Sequence, residues 1–146
     1  MITDPIYVYF FEDDMFQETD RAGFRRRVVN GENLQLCFWR IANEATGSFI
    51  HRHDDVEQLG IVFRGSLDFR IGVDKDTVER TVLGPGDIYI AGHGIWHGDS
   101  VFHGDEEYGE CWILDVFAPP RPDLAVPYTP LQLPQICSAV GLVVGG

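Results

Sequence analysis

Lysine is all but missing. Lys75 is the single one in 146 residues, and the 11 lysines and arginines together face 23 aspartates and glutamates, for a formal net charge of −12. Phosphate binding needs a basic face, so neither nucleic acid nor an anionic membrane is expected as a partner. Cysteine is scarce too. Cys37, Cys111 and Cys137 are too few and too scattered for a disulfide framework or a zinc motif, which fits a reducing cytoplasm and leaves them as small hydrophobic side chains. No stretch approaches the roughly 20 apolar residues of a membrane span. No basic segment followed by an apolar run of secretory length stands at the N-terminus, so cytoplasmic localisation is the expectation. Convincing helical periodicity is wanting before residue 120, and there is no internal repeat.

What is present reads as β-structure. Apolar residues at 45% and aromatics at 12% suffice for a domain of this length to bury a core. Strand signals run at 6–11, 27–29, 34–41, 49–53, 58–63, 67–73, 78–83, 87–90, 97–102 and 111–117. Asn30-Gly31 suits a hairpin turn. In Gly84-Pro85-Gly86-Asp87, proline fixes φ at the second turn position and glycine supplies the positive φ of a type II turn at the third. Short strands with glycine-rich turns mean an all-β sandwich or barrel. Beyond Ala118, Pro119, Pro120, Pro122, Pro127, Pro130 and Pro134 rule out a central strand, so 118–146 reads as an extended Pro-rich tail packed on the barrel or on a neighbouring subunit.

The chemistry is carried by His51-Arg52-His53-Asp54-Asp55-Val56-Glu57-Gln58. Two histidines one residue apart on a strand share a face, so one ion can take a nitrogen from each. Gln58 on the next strand and His97 on a later one stand where further ligands are wanted. The pattern His51-x-His53-x4-Gln58-x6-Gly65, followed by Pro85-Gly86-Asp87 and by Gly92-His93-Gly94-Ile95-Trp96-His97, resembles the two motifs of the metal-binding cupins over residues 45–117. The resemblance implies a double-stranded β-helix, a jelly-roll sandwich closed like a barrel around the metal. The barrel would occupy about 27–117 of a single domain of 1–146. It also implies one divalent ion, zinc first with iron, nickel or manganese as alternatives, and a homodimer formed by sheet-to-sheet packing.

Gln58 stands where many cupins have glutamate. Counting back from Gly65 selects it over Glu57, and alternation groups it with Gly60 and Val62, away from Leu59, Ile61 and Phe63. That outward apolar row calls for a cover, the strand at 6–11 or a second subunit. Three imidazoles and an amide leave the charge of a divalent ion uncancelled, which favours an anionic oxygen or a polarised carbonyl. The proline usual before the last histidine is absent, and His93 in that turn is the reserve ligand. Arg40, on an apolar strand, is either paired with a carboxylate or directed at an anionic substrate. Trp96, beside a ligand, is expected to wall the cavity.

Three activities fit these residues. The motif region is similar to the small cupin cyclases of bacterial aromatic polyketide pathways, the tetracenomycin and resistomycin type of antibiotic biosynthesis. This implies Lewis-acid aldol closure of an apolar, ketone-bearing substrate. His103, a carboxylate paired with Arg40, or hydroxide on the metal would then be the base. An iron dioxygenase of a β-diketone or polyphenol is the second reading. The third is a sugar-acid ring-opening or small-molecule-binding cupin with a similar Gln-containing motif. A sugar acid calls for several cations in the cavity, and only Arg40 on the early strands, with Arg64 and Arg70 beyond the motif, is expected to supply them, which favours a less charged substrate and so the cyclase.

Overall fold

In the computed structural model, which describes residues 13–124, β-branched and aromatic residues at alternating positions produce strands paired throughout antiparallel. A 3-10 turn at Asp13–Met15 precedes β1 (Gln17–Glu18), β2 (Phe24–Asn30) and β3 (Gln35–Ala42). There follow β4 (Glu57–Arg64), β5 (Ser66–Gly72), β6 (Glu79–Leu83), β7 (Ile88–Ala91), β8 (Trp96–His103) and β9 (Glu110–Ala118). One sheet runs in the order β1-β2-β3-β9-β4-β7 and a smaller one β6-β5-β8. No helix among the described residues is long and apolar enough to cross a membrane. The strand expected at 6–11 and the tail from 125 onward lie outside the described residues.

Alternation sorts the side chains. Cys37 and Ile41 of β3, Gln58 and Val62 of β4, and Cys111, Ile113 and Phe117 of β9 are buried between the sheets. Leu67 and Phe69 of β5 and Phe102 of β8 close the core from the small sheet. Cys37 and Cys111 are free thiols, and burial pushes the thiol of Cys111 up to about 12. The expected strand at 49–53 is reduced to a single bridge of His51 with His97, and a separate bridge joins Thr46 to Val101 just before it. The cause lies in β8, where Gly98 at φ 133° and Asp99 at φ 49° break the extended edge that a continuous partner would need.

Candidate metal centre

His51 and His97 face each other across that bridge, with reciprocal backbone hydrogen bonds of 2.9 and 2.8 Å, and His53 follows on the same segment. Nitrogen atoms of the three imidazoles lie within 4.8 Å of one another. Two of the rings are aimed by their backbone: His51 Nδ1 lies 2.7 Å from the Phe49 carbonyl and His97 Nδ1 3.0 Å from that of Ile95. A carbonyl only accepts, so Nδ1 carries the proton in both and Nε2 keeps a lone pair for an ion. Burial, then the nearby Arg121 and His51, lowers the pKa of His53, and burial takes His97 down to about 4, so both rings are neutral at physiological pH. His53 Nε2 and His97 Nε2 are buried without a hydrogen-bond partner, as is Gln58 Oε1. Buried nitrogen and oxygen acceptors left unpaired in one neighbourhood fit a divalent cation.

Gln58 is held at its other end. Its Nε2 donates to the Tyr89 hydroxyl at 2.7 Å, Tyr89 donates to Asp115 Oδ1 at 2.9 Å, and Trp39 Nε1 donates to Asp115 Oδ2 at 3.2 Å. Gly60 makes the path possible, since a Cβ there would stand 2.0 Å from the Tyr89 ring. Burial raises the Asp115 carboxyl to about 6 against the pull of these donors, and burial beside Asp115 raises Tyr89 well above its ordinary range.

His51, Gln58, Tyr89, Trp39 and Asp115 line a cavity of about 310 Å³, at the lower end of the size of small-molecule sites. Three guanidinium groups line it as well. Arg21 donates to the Thr46 carbonyl at 2.9 Å, and Arg121 is bidentate on Asp123 at 3.1 and 2.6 Å. Arg26 lies 5.5 Å from the Trp39 ring and has no carboxylate partner among the described residues.

The other candidates from the sequence lie elsewhere. Arg40 is on the outer face of β3, bonded to Glu110 Oε1 at 3.0 and 2.7 Å and to Asp13, over the Trp112 ring; this is the carboxylate-paired alternative. His103 alternates with the cavity-lining Phe102 and so faces away from the cavity. His93 is exposed in the turn before β8, outside the histidine group. Trp96 is turned out by the same alternation that turns His97 in, and it lies between Arg52 and Lys75; Trp39 takes the wall position instead. Arg64 is tied to Asp105 and Glu107, and Arg70 to the Val78 carbonyl. Asp115 has a legible signal: it is the one charged residue in the apolar run Cys111-Trp112-Ile113-Leu114-Asp115-Val116-Phe117, in phase with its inward residues.

No protein-family model matches the chain. A curated relative, the pectin degradation protein KdgF of Dickeya dadantii (strain 3937), is 28% identical over 116 residues, which span 79% of this chain and 96% of the relative. The structure of KdgF from a Halomonas species superposes with a TM-score of 0.67 at 22% identity, covering 84% of this chain and all of that one. An RmlC-like cupin from Shewanella frigidimarina gives 0.61 at 22% identity, over 82% of this chain and 98% of its own. Two packed antiparallel sheets holding three inward histidines, together with these likenesses, show that the chain has the cupin double-stranded β-helix fold.

Proposed function

We propose that this protein is a metal-dependent isomerase that opens the ring of a small unsaturated sugar acid. The observation that carries the reading is Arg26, which lines the cavity with no carboxylate partner among the described residues, in company with His51 of the histidine group and Gln58. An anionic substrate would complete its coordination. The likeness to a pectin degradation protein supports the same choice, since pectin is a polymer of a sugar acid. A polyketide cyclase has less in its favour. The cavity carries three arginines and a buried carboxylate, where an apolar poly-ketone asks for a dry apolar wall.

His51, His53, His97 and Gln58 would hold the ion, with zinc the first to test. A bound divalent cation supplies Lewis acidity to an oxygen placed on it. The chain's own residues supply the rest. Arg26 takes the carboxylate and sets the substrate's orientation. Asp115, raised to about 6, is suited to accept the proton of the ring hydroxyl, and Trp39 and Tyr89 fix its direction. As that O–H bond breaks, a carbonyl forms, the ring C–O bond opens, and the enol so released takes a proton on carbon. No atom is gained or lost and no oxidant is needed. The Leu59 and Ile61 face is read as the contact of a homodimer.

The test is proton NMR of the unsaturated uronic acid monosaccharide incubated with zinc-loaded protein. The expected outcome is conversion to the open-chain keto-aldehyde, abolished by His97→Ala together with metal binding, and a KM raised about tenfold or more in Arg26→Ala. Ring opening at the uncatalysed rate in the presence of loaded wild-type protein overturns the reading.

A further inference from the structure

We infer that Tyr89, held by Asp115, is a positioning residue that fixes which end of the Gln58 amide is left for the metal, and that this chain of donors is why residue 58 is an amide. The inference rests on the metal-site reading above. A tyrosine hydroxyl has one proton to give. Each oxygen of Asp115 faces a donor, Oδ2 the indole N–H of Trp39 at 3.2 Å and Oδ1 the Tyr89 hydroxyl, which gives its proton there at 2.9 Å. The hydroxyl's remaining capacity is to accept, and the group 2.7 Å away is the Gln58 side chain. The Gln58 atom facing Tyr89 must therefore be the donor Nε2, which commits Oε1 to the opposite side, where it is buried and unpaired.

A glutamate at position 58 has no donor to offer. Tyr89 would then stand between two carboxylates with one proton to share, and one of the two would be left buried without its hydrogen bond. The direction of the amide is thus set from β9 by Asp115, through the Tyr89 hydroxyl and by its own pull on the Gln58 amide. Gly60 is part of the same device, because without a Cβ it lets the Tyr89 ring lie over β4 and reach both partners.

The first test compares wild type, Tyr89→Phe, Gln58→Ala and the double variant, by competition titration of Co2+ against a chromophoric chelator and by the visible spectrum of the cobalt-loaded protein. Tyr89→Phe keeps the ring and removes the hydroxyl. It is expected to weaken Co2+ binding about 10- to 100-fold and to alter the spectrum, with no further loss when added to Gln58→Ala. Wild-type affinity and spectrum in Tyr89→Phe, or losses that add in the double variant, overturn the inference while leaving the metal site standing. Failure of the wild type to bind Co2+ or Zn2+ overturns both.

The second test needs no metal. Gln58→Glu alone is expected to lower the thermal midpoint of the metal-free protein. The exchange Gln58→Glu with Asp115→Asn is expected to restore most of that loss, because Tyr89 then donates to the carboxylate introduced on β4 and accepts from the amide introduced on β9. A Gln58→Glu variant as stable as wild type, or an exchange no better than the single variant, overturns the inference.

Discussion

Asp115 is where single-residue physics is most exposed to measurement. Its folded pKa of about 6 lies above the unfolded value near 3.8, so the folded state binds more protons between those limits. Stability from this group is therefore fully present below the lower limit and is lost as pH rises through the upper one. His97 runs the opposite way: its folded value of about 4 lies below 6.5, so its contribution is present above 6.5 and lost as pH falls. Comparing wild type with Asp115→Asn cancels the histidine. The midpoint of wild type should gain on that of Asp115→Asn as the buffer goes from about pH 7.5 to about 4.5, by differential scanning calorimetry. A gap that stays constant with pH would remove the buried-carboxylate account. At this scale the sequence is legible where spacing constrains it. His51, His53 and His97 meet in the structure, and Gln58 sits inward as alternation requires, because period-two geometry leaves little choice. Arg26 and Arg121 are not legible: nothing local distinguishes Arg26 from Arg25 and Arg27, and only the fold shows which of them faces the cavity.

Two glycines on or beside β4 separate packing from function at the level of the element. Gly65 turns the chain into β5 with φ at 70°, and a Cβ there would lie 2.1 Å from the His103 carbonyl oxygen, a backbone atom that cannot swing away. Gly60 is blocked by the Tyr89 ring. Alanine at either position should cost about 2 kcal/mol or more in denaturant unfolding. Gly60→Ala alone should also weaken metal binding, since it displaces Tyr89 from Gln58; equal metal affinity in the two variants would contradict this. The element pattern is legible in β4, β5 and β9 because each has an apolar face with alternation, and in β3 because its β-branched and aromatic residues fill both faces. It misleads at 49–53, where local composition favours a strand but the kinked edge of β8 offers only isolated bridges. Pairing needs a partner, and a strand signal does not report whether the partner's edge is straight.

Across the whole molecule, the large sheet carries apolar side chains on the face turned away from the cavity. The register lines up Ile90, Leu59, Val116 and Leu36 in one cross-strand row, and Ile88, Ile61, Leu114 and Phe38 in the next. Ile88 and Ile90 are 54% and 61% exposed, at the edge of this field. Phe38 at the end of the second row is already fully buried against Phe16, Phe63 and Trp112, and the rest of the field resembles the centre of an interface more than the outer wall of a solitary barrel. A stable homodimer buries roughly 800 Å² per partner, and two such rows pressed face to face would form its dry core. Net charge does not oppose this locally, because these rows contain no ionisable group. Ile61→Asp places a carboxylate in the middle of the second row, where it would be buried without a partner on association. Sedimentation velocity at micromolar concentration should therefore show a dimer for wild type and a monomer for Ile61→Asp, with metal binding retained, since Ile61 and Gln58 lie on opposite faces of β4. A wild-type protein that sediments as a monomer at that concentration would assign the field to cover from within its own chain.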